Sequence, residues 1–247
     1  MRALLLAAGR GTRLGSLTAD QPKPMVDIGG EPAIAHALRW LARQGITDVA
    51  INLHHRPDIL RHFVGDGARF GLRVVYSFEP EMLGTSGALR PLRSFFSDQD
   101  VFVVLYGDVL TDLELGPVME AHKAAGADAT LVLTKVDDPT RAGLVAFDGT
   151  RRITRIVEKP TGDVTFSKWA NAGIYVCGLA VLDYVAASDA QDFGHDLFPA
   201  MLRDGRRLLA APTGAQVIDF GSPERLELAR SSVRWDGPRW QGVSETC

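Results

Sequence analysis

Cysteine is scarce in this sequence, and long apolar runs are missing. The 247 residues contain two cysteines, Cys177 in an apolar stretch and Cys247 at the last position, at a separation typical of neither a metal site nor a redox motif. We expect no disulfide framework, which fits a reducing cytoplasm. The apolar run at residues 3–8 is short for a signal peptide, and no other run approaches the roughly 18 residues of a transmembrane helix. The sequence therefore predicts a cytoplasmic protein without a membrane partner.

A strong excess of charge is also missing. With 27 Lys+Arg against 30 Asp+Glu, the formal net charge is −3 at pH 7, so long-range attraction gives no reason to expect a nucleic acid or an anionic membrane as partner. Any phosphate binding must come from a local site. Lysine is rare among the basic residues, and Lys23 and Lys159 each stand directly before a proline.

Three common catalytic signatures are absent. Residues 9–14 read Gly-Arg-Gly-Thr-Arg-Leu, so Leu14 stands where a dinucleotide-binding turn has its third glycine. The Gly-Lys-Ser/Thr of a P-loop does not occur, and neither does the Gly-x-Ser-x-Gly elbow of serine hydrolases. A nicotinamide-dependent oxidoreductase and an acyl-transfer enzyme are therefore disfavoured hypotheses.

Apolar runs alternate with helical patterns through the first half of the chain. We predict strands at 3–8, 49–53, 72–76 and 101–106, with helices from Pro32, over 57–64 and over 86–93. This alternation predicts a parallel sheet covered on both faces. After a helix over 115–125, we predict strands at 129–135, 143–147, 153–157, 172–177, 208–211 and 217–219, with helices over 193–203 and from Pro223. The prediction is an α/β fold, a doubly wound mixed sheet in one domain whose second half is α+β.

A glycine-rich loop with basic residues follows the first predicted strand. Gly9 and Gly11 let backbone N–H groups approach an anion, and Arg13 adds positive charge. Ligands in open α/β sheets bind beyond the carboxyl ends of the strands, where this loop lies. Lys23 follows between two prolines, which stiffen the backbone around it. Lys23 alone is equally compatible with a solvated loop, but beside this loop it indicates a phosphate-binding site.

Carboxylates and an amide stand at the ends of other predicted strands. Asp108 and Asp219 each follow or end such a strand. Two carboxylates there suit a Mg²⁺ ion that bridges phosphates, although a helix cap is an equally simple role for Asp108. Glu158 and Asn171 can bind sugar hydroxyls, and Lys159 can neutralise a sugar phosphate.

Seven segments occur in an order that resembles the sugar-1-phosphate nucleotidylyltransferase family. They read LAAGRGTRL, PKPM, LGTSGAL, GDV, EKP, NAGIYV and DFGSPE, and they span about residues 1 to 230. The chain resembles in particular the short branch with heptose and mannose 1-phosphate guanylyltransferases and N-acetylmuramate 1-phosphate uridylyltransferases. The resemblance implies a Rossmann-like nucleotide-diphospho-sugar transferase fold over 1–234. It divides this domain into a nucleotide-binding half, about 1–125, and a sugar-phosphate-binding half, 126–234, followed by a tail over 235–247.

The resemblance also implies a role for each candidate residue. Arg13, Lys23 and Asp108 would be catalytic, and Asp108 and Asp219 would hold Mg²⁺. A nucleoside triphosphate and a sugar 1-phosphate would be the partners, and a homo-oligomer is compatible with the family. The implied nucleotide-binding residues are Leu6, Ala8, Gly9, Gly11, Thr12, Glu79, Gly84 and Thr85, and the implied sugar-phosphate-binding residues are Gly143, Glu158, Lys159 and Asn171.

Glu79 bears on the identity of the base. Guanine offers two adjacent donors, N1–H and N2–H, that one carboxylate can accept together, whereas uracil suits an amide better. The favoured hypothesis is transfer from GTP to a mannose- or heptose-type sugar 1-phosphate, with release of pyrophosphate. The alternatives are a uridylyltransferase acting on N-acetylmuramate 1-phosphate or glucose 1-phosphate, and a catalytically silent regulator that binds a sugar nucleotide.

Overall fold

The first strand of the chain lies inside a nine-stranded mixed sheet. A computed structural model describes residues 1–136, 142–158, 166–232, 234–235 and 240–241. Its strands are β1 (Arg2–Leu6), β2 (Asp27–Ile28), β3 (Glu31–Pro32), β4 (Asp48–Leu53), β5 (Arg73–Phe78), β6 (Val101–Tyr106), β7 (Val109–Thr111), β8 (Ala129–Lys135), β9 (Leu144–Phe147), β10 (Ile153–Val157), β11 (Trp169–Gly178), β12 (Leu208–Pro212), β13 (Val217–Asp219), β14 (Arg234–Trp235) and β15 (Trp240–Gln241).

The sheet joins the two halves of the chain. Its order is β10-β9-β11-β6-β1-β4-β5, and β8 pairs with both β11 and β12 outside this path. Strands β6, β1, β4 and β5 run parallel to one another. Strand β11 runs antiparallel to β6, β8 and β9. This topology confirms the prediction of a Rossmann-like mixed sheet in a single domain.

Helices cover the sheet and connect its strands. The longest described helices have 11 residues, and none in the described ranges is long and apolar enough to cross a bilayer. The helices are α1 (Ala33–Arg43), α2 (Pro57–Val64), α3 (Arg93–Phe96), α4 (Leu115–Ala125), α5 (Phe198–Arg203) and α6 (Pro223–Ser232).

Side chains of β1 alternate between two apolar layers. Leu5 belongs to the cluster that contains Ile34 of α1, whereas Leu4 belongs to the cluster that contains Phe96 and Phe102. All five side chains are fully buried. Successive residues of a strand point to opposite faces, so a continuous apolar run is what a strand covered on both sides needs. Burial of both faces leaves the loops beyond the strand ends to form a site.

Several elements differ from the predicted ones: the two-residue strands β2, β3, β14 and β15 were not predicted, and three further differences concern longer segments. Residues 193–203, predicted as one helix, begin with a π turn at Phe193–Leu197 before α5. Within 86–93, predicted as one helix, a 3₁₀ helix at Gly87–Leu92 contains Pro91, which has no N–H for a helical hydrogen bond, and Arg93 already belongs to α3. The prediction lacks β7, because three residues are too short for a recognisable period; this strand pairs antiparallel with β13.

Candidate active site

A cavity of about 370 Å³ opens beyond the carboxyl ends of β1, β4 and β6. This is where open α/β sheets bind ligands. All eleven residues predicted for nucleotide binding or catalysis line it: Leu6, Ala8, Gly9, Gly11, Thr12, Arg13, Lys23, Glu79, Gly84, Thr85 and Asp108.

Gly11 fixes the glycine-rich loop against the segment that carries Lys23. Its φ of +66° lies in the left-handed region, which glycine enters without strain. A Cβ at Gly11 would also lie 2.9 Å from Cβ of Lys23. The Thr18 hydroxyl donates to the carbonyl oxygen of Gly11 at 2.8 Å. Both the backbone angle and the close approach therefore require glycine here.

A two-stranded ribbon brings the two predicted metal ligands together. Strands β7 and β13 place Val109 opposite Asp219, and the N–H of Phe220 donates to the carbonyl oxygen of Asp108 at 3.0 Å. The Lys23 ammonium donates to the Asp108 carboxylate. Lys23 is only 8% exposed, so this ion pair is largely shielded from water.

Gly221 lies where the cations and the carboxylates meet. A Cβ there would lie 2.7 Å from Oδ1 of Asp219, 2.8 Å from a guanidinium nitrogen of Arg13 and 3.3 Å from Nζ of Lys23. Its φ is outside the left-handed region, so space alone requires glycine. The sequence analysis missed Gly221, although it lies within the DFGSPE segment.

The donor set fits a hard divalent cation. Burial raises the pKa of Asp219, and the neighbouring Asp108 charge raises it further, so the two carboxylates repel each other. Mg²⁺ typically binds one or two carboxylates together with substrate phosphates and water. Within the described residues no group of three or more His, Cys, Asp or Glu side chains could hold a metal, so phosphates and water would complete the coordination.

A buried series of hydrogen bonds joins the backbone just before the glycine-rich loop, residues 9–13, to Glu79 and Leu83 across the cavity. The N–H of Ala7 donates to Oδ1 of Asn52 at 2.7 Å. Nδ2 of Asn52 donates to Oε1 of Glu79 at 2.9 Å. The N–H of Leu83 donates to Oε2 of Glu79 at 3.0 Å. Asn52 is 2% exposed and Glu79 is 1% exposed, so water competes little with these bonds.

This arrangement changes the interpretation of Glu79. Both carboxylate oxygens already accept hydrogen bonds from the protein, which leaves them less capacity for the two guanine donors than the sequence suggested. Glu79 lines the cavity, and its contact with a nucleotide stays a prediction. The sequence analysis missed Asn52, whose amide in the mostly apolar β4 was the available signal.

A segment from the second half of the chain holds the loop that carries Gly84. The N–H of Gln191 donates to the carbonyl oxygen of Leu83 at 2.9 Å. Gly84 has a φ of +79°, and a Cβ there would overlap the Gln191 carbonyl. The Thr85 hydroxyl donates to Oδ1 of Asp192 at 2.7 Å. Asp192, which the sequence analysis missed, therefore lines the cavity beside Thr85.

A second cluster contains the predicted sugar-binding residues. A Cβ at Gly143 would overlap the Glu158 carboxylate, and a Cβ at Gly194 would lie 2.9 Å from the same carboxylate. The N–H of Asn171 donates to the carbonyl oxygen of Gly143 at 2.8 Å. Three of the four predicted residues are thus brought together, with Gly194 as an addition that the sequence analysis missed. The fourth, Lys159, lies outside the described residues.

Tyr106 links the two clusters. It lines the cavity, and its ring packs edge-on against Tyr175 with centroids 5.8 Å apart. The Tyr175 hydroxyl accepts a hydrogen bond from Nδ2 of Asn171 at 2.6 Å. Burial raises the pKa of both tyrosines, and the charges of Asp192 and Glu158 raise that of Tyr106 further. Both phenols therefore stay protonated at neutral pH.

Sequence comparison identifies the class of protein that carries this site. The sequence model of the nucleotidyl transferase family matches residues 2–234, so the chain belongs to this family. The resemblance found in the sequence motifs is thereby confirmed.

Relatives of the chain use different nucleotides. A UTP–glucose-1-phosphate uridylyltransferase of Synechocystis sp. is 34% identical over 90% of this chain and 60% of its own length. A mannose-1-phosphate guanyltransferase of Neurospora crassa is 36% identical over 91% of this chain and 62% of its own length. The chain therefore spans about 60% of the length of these relatives. The crystal structure of HddC from Yersinia pseudotuberculosis complexed with GMP-PN superposes with a TM-score of 0.78 and 28% identity, covering 93% of this chain and 98% of that chain.

Proposed function

We propose that the protein transfers a nucleotidyl group from a nucleoside triphosphate to a sugar 1-phosphate, giving a nucleoside diphosphate sugar and pyrophosphate. The observation that carries this proposal is the convergence of Arg13, Lys23, Asp108 and Asp219 around Gly221 at one end of the cavity. Two cations there can neutralise phosphates, and two carboxylates can hold Mg²⁺. Membership of the nucleotidyl transferase family supports the same reaction.

The reaction requires two negatively charged phosphate groups to meet. A phosphate oxygen of the sugar 1-phosphate attacks the α-phosphorus, the bond from this phosphorus to the bridging oxygen breaks, and pyrophosphate leaves with the electron pair. The second pKa of a phosphate is about 6, so the nucleophile is ionised at neutral pH and needs no general base. Arg13 and Lys23 would neutralise and orient the triphosphate, and Mg²⁺ held by Asp108 and Asp219 would add positive charge.

The sugar 1-phosphate would bind at the second cluster. Glu158 and Asn171, packed around Gly143, present a carboxylate and an amide that can bind sugar hydroxyls, and Lys159 would neutralise the sugar phosphate. The division into a nucleotide-binding half over 1–125 and a sugar-phosphate-binding half over 126–234 stays a prediction, because Asp192, Asp219 and Gly221 of the second half lie at the nucleotide cavity. The predicted cytoplasmic location and homo-oligomer remain predictions, and most of the 235–247 tail lies outside the described residues.

GTP is the nucleotide that we favour, with a mannose- or heptose-type sugar 1-phosphate as acceptor. The Neurospora crassa guanyltransferase and the HddC complex with GMP-PN support guanine. The Synechocystis relative favours the alternative, a uridylyltransferase acting on glucose 1-phosphate or N-acetylmuramate 1-phosphate. Glu79 does not decide between guanine and uracil, because both of its carboxylate oxygens already accept hydrogen bonds from Asn52 and Leu83.

A substrate matrix tests this proposal. Nucleoside triphosphates are mixed with the 1-phosphates of mannose, heptose, glucose and N-acetylmuramate, and pyrophosphate release is measured with Mg²⁺ and with EDTA. We expect release with one nucleotide and one sugar class, and none with EDTA. Absence of product from GTP with every sugar would contradict the base assignment. Nucleotide-sugar binding without any pyrophosphate release would indicate a silent regulator instead.

A further inference from the structure

We propose that Asn52 and Glu79 form a directional hydrogen-bonded pair that positions the base loop, defined here as residues 83–87, relative to the glycine-rich loop, residues 9–13. Glu79 is then a positioning residue rather than the group that recognises the base. The inference rests on the proposed function, because it concerns how the same cavity holds a nucleoside triphosphate.

The pair leaves no choice in the direction of its hydrogen bonds. The N–H of Ala7 can only donate, so the Asn52 atom that faces it, at 2.7 Å, must be the carbonyl oxygen. The amide nitrogen of Asn52 then faces Glu79 at 2.9 Å and donates to it. The N–H of Leu83 also donates to Glu79, at 3.0 Å. Residue 79 is therefore held between two donors and must accept from both.

This requirement selects glutamate over glutamine regardless of the base. A carboxylate accepts through both oxygens, whereas a glutamine at position 79 would turn an NH₂ group toward one of the two donors. If Asn52 rotated to offer its oxygen to that NH₂ group, its own nitrogen would then face the N–H of Ala7. Because both side chains are at most 2% exposed, water cannot replace the lost bond, and the mismatch must move one of the loops.

The backbone at Glu79 is held independently of its side chain. The N–H of Glu79 donates to the carbonyl oxygen of Leu53 at 2.8 Å, and Nδ1 of His54 donates to the carbonyl oxygen of Glu79 at 2.8 Å. A change of the Glu79 side chain should therefore leave β4 and its end in place. It should release the contact to Leu83, where the base loop begins.

The geometry provides an exchange that restores every bond. With Asn52→Asp and Glu79→Gln together, the aspartate accepts from Ala7 and from the glutamine NH₂ group, and the glutamine oxygen accepts from Leu83. The negative charge moves from residue 79 to its partner, residue 52, which is about equally buried. If Glu79 instead recognised guanine through its carboxylate, this exchange would leave the guanine donors facing a neutral amide.

The experiment compares wild type, Asn52→Asp, Glu79→Gln and the double variant. Dissociation constants for GTP and UTP are measured by calorimetry, and KM values for the nucleotide and the sugar 1-phosphate are measured with kcat. We expect each single substitution to weaken the preferred nucleotide about tenfold or more, the effect of one lost bond to a buried charged group. KM for the sugar 1-phosphate should stay within about twofold, and the double variant should return to within about threefold of wild type.

Glu81→Gln is the matched control, because it removes the same charge from an exposed side chain two residues along that does not line the cavity. It should bind nucleotides like wild type. If Asn52→Asp alone does not fold, we expect the double variant to fold again, because the hydrogen bonds between residues 52 and 79 are restored. A double variant as weak as Glu79→Gln, or single variants that bind like wild type, would overturn the proposal. Wild type that binds nucleotide without transferring it would contradict the proposed function, whereas the four binding constants would still test the pair.

Discussion

At the scale of single residues, the phosphate end of the cavity is balanced between two cations and two carboxylates. Lys23 donates to Asp108, and Gly221 leaves room for Arg13 beside Asp219. Burial raises the pKa of Asp219, and the neighbouring Asp108 charge raises it further, so the two carboxylates repel each other. Substitutions that change charge and substitutions that change only space should therefore have separable effects.

Replacement of Asp108 by asparagine tests the charge. Asp108→Asn keeps the size of the side chain but removes one of the two carboxylates that we propose as Mg²⁺ ligands, so turnover should fall at least about a hundredfold in saturating Mg²⁺. Steady-state pyrophosphate release measures this. Asp98→Asn is the control, because the Asp98 side chain is 62% exposed and pairs with Arg2 away from the cavity. Near-normal activity of Asp108→Asn in Mg²⁺ would refute the metal assignment.

Replacement of Gly221 by alanine tests the space. The added Cβ would crowd Asp219, Arg13 and Lys23, so we expect a loss of kcat of about tenfold or more with little change in melting temperature. Gly116→Ala in α4 is the control, because a Cβ there meets no atom within 4 Å. It should leave kcat unchanged and stabilise the protein by up to about 1 kcal/mol through helix propensity. Equal kinetics for the two variants would contradict the proposed crowding.

At the scale of secondary-structure elements, strand ends were predictable and the contacts between distant elements were not. The apolar run at 101–106 predicted where β6 ends, two residues before Asp108, whereas the run at 3–8 extends two residues past the end of β1. The glycine-rich loop after β1, together with two flanking prolines, indicated Lys23. Asn52 and Asp192 were not predictable, because their partners come from other elements and no local pattern pairs them. Strand β7 escaped prediction for a related reason: its conformation depends on its pairing with β13.

Strand β11 provides a test at this scale, because it carries both Asn171 and Tyr175. Tyr175→Phe removes the hydroxyl that accepts from Nδ2 of Asn171 at 2.6 Å. The half-buried amide of Asn171 then loses an acceptor, and a typical hydrogen bond contributes about 0.5–1.5 kcal/mol. We expect a raised KM for the sugar 1-phosphate with an unchanged KM for the nucleotide. Phe198→Leu, which disturbs packing against the Tyr175 ring, should lower stability without this selective effect on KM. Equal KM changes for both substrates in Tyr175→Phe would contradict the predicted role of the Tyr175 hydroxyl.

At the scale of the whole molecule, one sheet carries both of the proposed substrate regions. Strand β6 ends at the cavity and pairs with β11, which carries Asn171. This architecture was predictable, because continuous apolar runs that alternate with helical patterns indicate strands buried on both faces of a sheet. The sequence did not predict the relative placement of the clusters, since that depends on the register between β6 and β11. Folding therefore assembles the two regions together.

The stability of this fold should depend on pH near neutrality. Burial lowers the pKa of His36 and of His122 below the ordinary 6.5. Below that value the unfolded chain binds protons that the folded protein does not, so the free energy of unfolding falls as pH drops from 7.5 to 5.5. The largest slope per histidine is about 1.4 kcal/mol per pH unit.

Urea unfolding of wild type and His36→Gln across this range measures the contribution of His36. The exposed His195 changes the free energy of unfolding in the opposite direction with pH, because Asp196 raises the pKa of its imidazole. This contribution is present in both proteins and cancels in the comparison. We expect a shallower fall for His36→Gln. An identical pH dependence in both proteins would contradict a buried, neutral His36.

Phosphorus-31 NMR tests the proposed reaction most directly, because it identifies the bond that breaks. The protein is mixed with Mg²⁺, each sugar 1-phosphate of the substrate matrix, and GTP or UTP. The proposed function predicts that one mixture loses its sugar 1-phosphate and triphosphate signals while pyrophosphate and a nucleoside diphosphate sugar appear in equal amounts. Release of orthophosphate alone, or unchanged spectra in every mixture, would contradict nucleotidyl transfer to a sugar 1-phosphate.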